Sequence, residues 1–122
     1  MERRRRTIRV VTLRELIEEL VGAWQANDAH RAAAFFALDG VYHESGEEPL
    51  VGRDAIFAHF ARFFRDGPAW RFDIDEVIVE GERAAVGYRF GVNRDGTWNT
   101  RGGCALVRCE DSLIAQWREY RG

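Results

Sequence analysis

Apolar positions fall at helical spacing in the first half of the chain and at strand spacing in the second, with the change near residue 70. Leu13, Leu16, Ile17, Leu20, Val21 and Trp24 recur at intervals of three and four behind Thr12 and Glu15, a pair of the type and separation that forms a capping box. A helix opening after Thr12 is therefore expected. Asn27-Asp28 supplies a second cap, and the helix it starts runs through Ala32, Ala33, Ala34, Phe35, Phe36 and Leu38, with Gly40 placed to end it in the left-handed conformation. Residues 41–44 read as a short strand and residues 45–52 as a turn-rich loop around Pro49. Asp54 puts negative charge in the first turn of a third helix, whose Ile56, His59, Phe60, Phe63 and Phe64 form an aromatic stripe ending at Asp66-Gly67-Pro68.

From Trp70 onward the period is two, which predicts strands near 70–80, 83–93, 97–109 and 113–120. The breaks between them, Glu80-Gly81-Glu82, Asn93-Arg94-Asp95-Gly96 and Glu110-Asp111-Ser112, have hairpin-turn chemistry. Helices followed by an antiparallel meander give an α+β fold. Three N-terminal helices should pack on one face of a curved, mainly antiparallel sheet, as a cone with a cavity between the layers. The last strand sends Trp117 and Glu119 to one face and Ile114, Gln116, Arg118 and Tyr120 to the other. A carboxylate on the inner face must be paired, protonated or wetted by a cavity, because a lone buried carboxylate costs several kcal/mol.

At 122 residues, 46% of them hydrophobic, the chain supports one core. The expected division is a basic arm over residues 1–11, carrying Arg3-Arg4-Arg5-Arg6, and a single domain over 12–122. With 18 basic and 20 acidic side chains the net charge is −2, too even for a phosphate-neutralising surface, so no nucleic-acid partner is expected. Every basic residue is arginine, which excludes lysine Schiff-base and lysine general-base chemistry. Cys104 and Cys109, on opposite faces of one strand and about 16 Å apart, cannot bridge each other. No apolar run spans a bilayer and no disulfide framework is present, so the expected setting is cytoplasmic, without a membrane partner. The three histidines share no ligand spacing, and no nucleotide-binding glycine motif or nucleophile elbow occurs. Neither metal nor cofactor is expected.

The leading catalytic candidates are Glu119, Glu44 and Tyr42. Tyr42 and Glu44 share a strand face and His43 takes the other; a one-residue bulge would reverse this and make His43 the base instead. Glu44 reads equally as an exposed strand-end carboxylate beside Glu47 and Glu48. Arg101, on one face with Asn99 and Gly103, is placed either to neutralise Glu119 or to bind an anionic group at the cavity mouth. Phe36, Phe60, Phe64, Tyr88, Phe90 and Trp117 are candidates to line a site for a flat apolar or aromatic ligand, although core packing must claim most of them. His59 reads as a hydrogen-bonded histidine at the cavity edge, and His30 as exposed.

The order of elements resembles the nuclear transport factor 2-like superfamily, which includes SnoaL-like polyketide cyclases, ketosteroid isomerases and limonene epoxide hydrolases. Locally, Leu50-Val51-Gly52-Arg53-Asp54-Ala55-Ile56 resembles the superfamily's entry to its third helix, and Trp117-Arg118-Glu119-Tyr120 resembles the closing motif of the epoxide hydrolases. By that resemblance Tyr42 falls on a tyrosine that helps hold the hydrolytic water, Glu44 where those enzymes have asparagine, and Glu119 on their last-strand aspartate. Their arginine and first aspartate fall on Val86 and Tyr88, and the two isomerase oxyanion donors on Leu20 and Ala105. The resemblance thus implies a small-molecule domain of this fold whose chemistry, if catalytic, is cofactor-free acid–base work of isomerase, dehydratase, hydrolase or cyclase type by a different residue set. The alternative is a non-catalytic ligand-binding or dimerisation module. Under either reading the outer sheet face, with Trp98, Leu106, Ile114 and Tyr120, predicts a homodimer.

Overall fold

Thr12 opens the first helix by a complete capping box: its hydroxyl accepts from the Glu15 N–H at 3.1 Å, and its own N–H donates to Glu15 Oε1 at 3.0 Å. The computed structural model describes residues 12–122, so the arginine-rich arm at 1–11 lies outside the described residues. Helix α1 (Leu13–Gln25) is followed by α2 (Ala29–Ala34), β1 (Phe36–His43), β2 (Leu50–Val51) and α3 (Arg53–Asp66). Four long strands complete the chain: β3 (Ala69–Glu80), β4 (Arg83–Arg94), β5 (Thr97–Glu110) and β6 (Leu113–Arg121). Their hairpins follow the turn residues; Asp95 and Gly96 both take positive φ, with the Gly96 N–H donating to the Asn93 side chain at 3.0 Å.

The sheet order is β2-β1-β6-β5-β4-β3, antiparallel except for the parallel pair β1–β6. Helices cover one face, and the core between the layers centres on Ile17, Leu20, Phe36, Ile56, Val86, Ile114 and Trp117, all fully buried. This is the α+β cone that the periodicity predicts.

Two local expectations are overturned, and both corrections come from strand pairing. The second helix stops at Ala34 instead of running through Leu38, because Phe36 already pairs with Ile114 as the first residue of β1. Gly40 therefore closes no helix. It lies where β1 bulges, five steps from Phe36 to Val41 facing two steps of β6, and a Cβ there would stand 3.0 Å from the carbonyl oxygens of Ala37 and Ile114. Arg53 clamps the bulge's start, its guanidinium donating twice to the Phe36 carbonyl at 2.9 and 2.6 Å. The second correction concerns Ile114. A register shift opposite Arg108 and Cys109 turns it into the core, fully buried, so the exposed apolar side chains of the outer face are Trp98, Leu106 and Tyr120 together with Ile78.

The parallel register positions the site. Tyr42 lies beside Trp117 and His43 beside Arg118, so one step further the side chains of Glu44 and Glu119 share the inner face.

Candidate active site

A cavity of about 340 Å³ opens between α1, α3 and the inner face of the sheet. Its walls are aromatic: Trp24 from α1, Phe60, Phe63 and Phe64 from α3, Trp70 and Phe72 from β3, Tyr88 and Phe90 from β4. Polar groups gather at two levels. Tyr42, Glu44, His59 and Glu119 converge on the interior, and Ser45, Asn99, Arg101 and Arg121 complete the lining.

The interior group is one connected cluster. Trp117 Nε1 donates to Glu119 Oε2 at 2.8 Å, and Tyr42 donates its single hydroxyl proton to Glu44 Oε2 at 2.9 Å. The same hydroxyl stands 3.5 Å from Glu119 Oε2, and His59 Nε2 lies 3.4 Å from Glu44 Oε2. Tyr88 reaches towards Glu119 because Gly103 leaves room for it; a Cβ at Gly103 would come within 2.6 Å of the Tyr88 hydroxyl.

These surroundings drive the two carboxyl groups apart. Burial, assisted by the negative charge of Glu44, pushes Glu119 up to about 7 from an ordinary 4.5, against the opposing hydrogen bonds of Trp117, Tyr88 and Tyr42. Burial also acts on Glu44, but hydrogen bonds from His59 and Tyr42, with the charges of His59 and Arg121, outweigh it and hold Glu44 below its ordinary value. Burial and the neighbouring carboxylates raise both phenols, so Tyr42 and Tyr88 stay protonated as hydrogen-bonding groups. Near neutral pH Glu44 is therefore a carboxylate while Glu119 is divided between acid and carboxylate, and one phenol joins the two.

Of the sequence candidates, Glu119, Glu44, Tyr42, Phe60, Phe64, Tyr88, Phe90 and Arg101 line the cavity. Phe36 and Trp117 do not: both are fully buried behind the lining, and Trp117 meets the cluster only through its indole N–H. His43 faces away, with Nε2 2.9 Å from the Glu47 carbonyl oxygen, so it is not a base in this cavity. Arg101 lies exposed at the edge, and among the described residues no ion pair joins it to Glu119. His59 takes the partner position on Glu44, 15 residues away in the chain, that no local spacing announces. Trp24, Trp70, Phe72 and Arg121 also belong to the lining without being singled out from sequence. Trp24 sits on the apolar stripe of α1, and Trp70 and Phe72 alternate along β3; those periodicities are the only local signals they carry. Among the described residues, no group of three His, Cys, Asp or Glu side chains is placed to hold a metal ion.

Known structures share this architecture. A hypothetical protein with a ketosteroid isomerase-like fold from Catenulispora acidiphila, in complex with trimethylamine, is 20% identical over 89% of this chain and 86% of that one, with a TM-score of 0.80. An epoxide hydrolase of M. tuberculosis, described as LEH-like, is 18% identical over 88% and 80%, with a TM-score of 0.77. A putative SnoaL-like polyketide cyclase from Jannaschia sp. is 15% identical over 88% and 83%, with a TM-score of 0.75. At such identities the likeness is one of fold. No curated protein matches the chain in sequence. The family model of the SnoaL-like domain matches residues 17–117, and the chain belongs to that family.

Proposed function

We propose that the cavity is the active site of a cofactor-free acid–base enzyme acting on a small, largely apolar substrate. One observation carries the reading: Tyr42 bridges two carboxyl groups of which one sits below its ordinary pKa and the other at about 7. Glu44 is the base, taking a proton from an acidic carbon or a water held in the cavity. Glu119 is the acid, delivering a proton to the oxygen on which charge develops. Tyr42 holds that oxygen or water between them. Isomerisation, dehydration, hydrolysis and aldol cyclisation all use this division of labour, and the names of the structural neighbours span isomerase, hydrolase and cyclase.

Carbon-13 NMR of glutamate-labelled protein tests the pair without a substrate. Two coupled carboxyl midpoints are expected, one near 7 and one below 4.5, the upper one absent from Glu119→Gln. Two midpoints both below 5 would sink the reading.

A second reading, a binding module that pairs through its outer face, is favoured by the exposed apolar side chains there and by the neighbour that holds trimethylamine. Ile78 is 60% exposed, Leu106 49%, Tyr120 44% and Trp98 41%, apolar surface that a second copy of the chain would cover. The proposed assembly is a homodimer of a single domain over residues 12–122, in a reducing compartment such as the cytoplasm that suits two free thiols. Sedimentation equilibrium at micromolar concentration should give twice the 14.0 kDa chain mass, and Leu106→Arg should give one chain; a monomeric wild-type protein would contradict the pairing.

A further inference from the structure

The rim of the cavity carries a cation that nothing in the described structure satisfies. The sheet's other exposed arginines are mostly committed: Arg71 to Asp73, Arg83 to Glu80, Arg89 to Asp75 and Arg108 to Glu110. At the site itself, Arg121 donates to the Ser45 carbonyl and its charge acts on Glu44. The Arg101 guanidinium has no hydrogen bond or ion pair among the described residues, yet it lines the cavity beside Asn99 on the same face of β5.

The interior is walled mainly by aromatic rings around the Tyr42–Glu44–Glu119 cluster and is limited in volume. By proportion to benzene in a cavity of about 150 Å³, a space of about 340 Å³ takes roughly a dozen non-hydrogen atoms. Phe64 and Trp70 stack at 10° and Phe72 and Tyr88 at 23°, so the lining is built largely of ring surface, which suits a flat apolar molecule. Inside, the Glu44 carboxylate already has its partners: Tyr42 donates to it at 2.9 Å, His59 Nε2 lies 3.4 Å away and the charge of Arg121 acts on it. The charge left over is positive and sits at the entrance.

From this geometry we infer that the substrate is a monocarboxylate: a single aromatic or alicyclic ring filling the cone, with a short arm that sets its carboxylate on the Arg101 guanidinium and the Asn99 amide. The planar fork of arginine matches a carboxylate with two parallel N–H donors. A phosphate dianion suits the site less, since one guanidinium would face twice the charge while Glu44 repels it. Seating the carboxylate at the rim turns the far end of the molecule towards Tyr42, Glu44 and Glu119, so the reacting atoms are those remote from the acid group.

This inference rests on the cavity being the substrate site, and its test is separable from the test of the acid–base pair. Binding of 3-phenylpropanoate and of its uncharged amide, 3-phenylpropanamide, is measured at pH 6 by calorimetry. The acid is expected to bind about tenfold more tightly than the amide, and added salt should shrink that preference. Arg101→Gln should remove the preference while leaving the amide's affinity within about twofold. Arg62→Gln, on the exposed side of α3, should change neither. Equal binding of acid and amide, equal weakening of both by Arg101→Gln, or binding of neither overturns the inference. The NMR titration of Glu119 needs no ligand, so its outcome judges the acid–base reading independently.

Discussion

Glu119→Gln is expected to stabilise the protein above neutral pH and, under the proposed acid–base function, to remove the general acid. The folded state holds the Glu119 proton with a pKa of about 7, against an ordinary 4.5 in the unfolded chain. A folded-state pKa raised in this way means that the protonated side chain favours folding. That contribution is complete below about 4.5 and disappears as pH rises through 7. The span of about 2.5 pKa units corresponds to roughly 3 kcal/mol of wild-type stability lost between pH 4 and pH 8. Glutamine keeps a carbonyl to accept from Trp117 and has no proton to lose, so the variant should come close to wild type at pH 4 and exceed it by about 3 kcal/mol at pH 8. Urea unfolding across that range measures it directly. Under the proposed function, turnover should fall by about 10²–10⁴, the usual contribution of a positioned general acid. Parallel pH profiles for the two proteins would show that Glu119 is ionised throughout and cannot be the acid.

The fold was legible where the signal is local. Thr12 and Glu15 sit in one helical turn, Asp95-Gly96 in one hairpin, and the stripe from Ile56 to Phe64 on one helix face, so their partners are fixed by spacing along the chain. The boundary between α2 and β1 was not legible, because Ala32, Ala33 and Ala34 favour helix and Phe35 and Phe36 continue the pattern. What ends the helix is the parallel pairing of Phe36 with Ile114, 78 positions away in the chain. Register shifts escape for the same reason. Nothing around Ile114 in sequence marks the extra residue that turns it inward.

The candidate site divides along the same line. Glu119 stood out because strand alternation alone puts a carboxylate beside an indole on the inner face, and the structure joins the two at 2.8 Å. Tyr42 and Glu44 share a face by the same rule. Their meeting with Glu119, however, depends on the parallel register of β1 on β6, and the engagement of His59 depends on how α3 lies over that pair. The aromatic candidates show a third pattern: composition identifies rings, but only packing decides which rings face space and which fill the core. Phe60 and Phe64 border the cavity, while Phe36 and Trp117 support it from behind.

Trp117 therefore has two separable roles, and two substitutions should divide them. Its indole is fully buried, with Trp24 edge-on at 5.2 Å and Phe72 at 6.5 Å, so Trp117→Ala leaves a large hole in the layer that carries the cavity. A cost of about 3–5 kcal/mol is expected, against a total stability of about 5–15 kcal/mol for a domain of this kind. Urea unfolding of the alanine variant should show a midpoint far below that of wild type. Trp117→Phe retains most of the packing and deletes the N–H that donates to Glu119. Among the groups that favour the ionised form of Glu119 this donor acts most strongly, so its loss leaves burial and the charge of Glu44 less opposed. The Glu119 midpoint should then move above 7, and the alkaline limb of any pH–rate profile should move with it, while the phenylalanine variant stays folded at pH 6. An unchanged midpoint in Trp117→Phe would mean that the indole is scaffold alone. A raised one would mean that the ring which closes the core also sets how readily the acid gives up its proton, so packing and proton transfer are adjusted through one side chain.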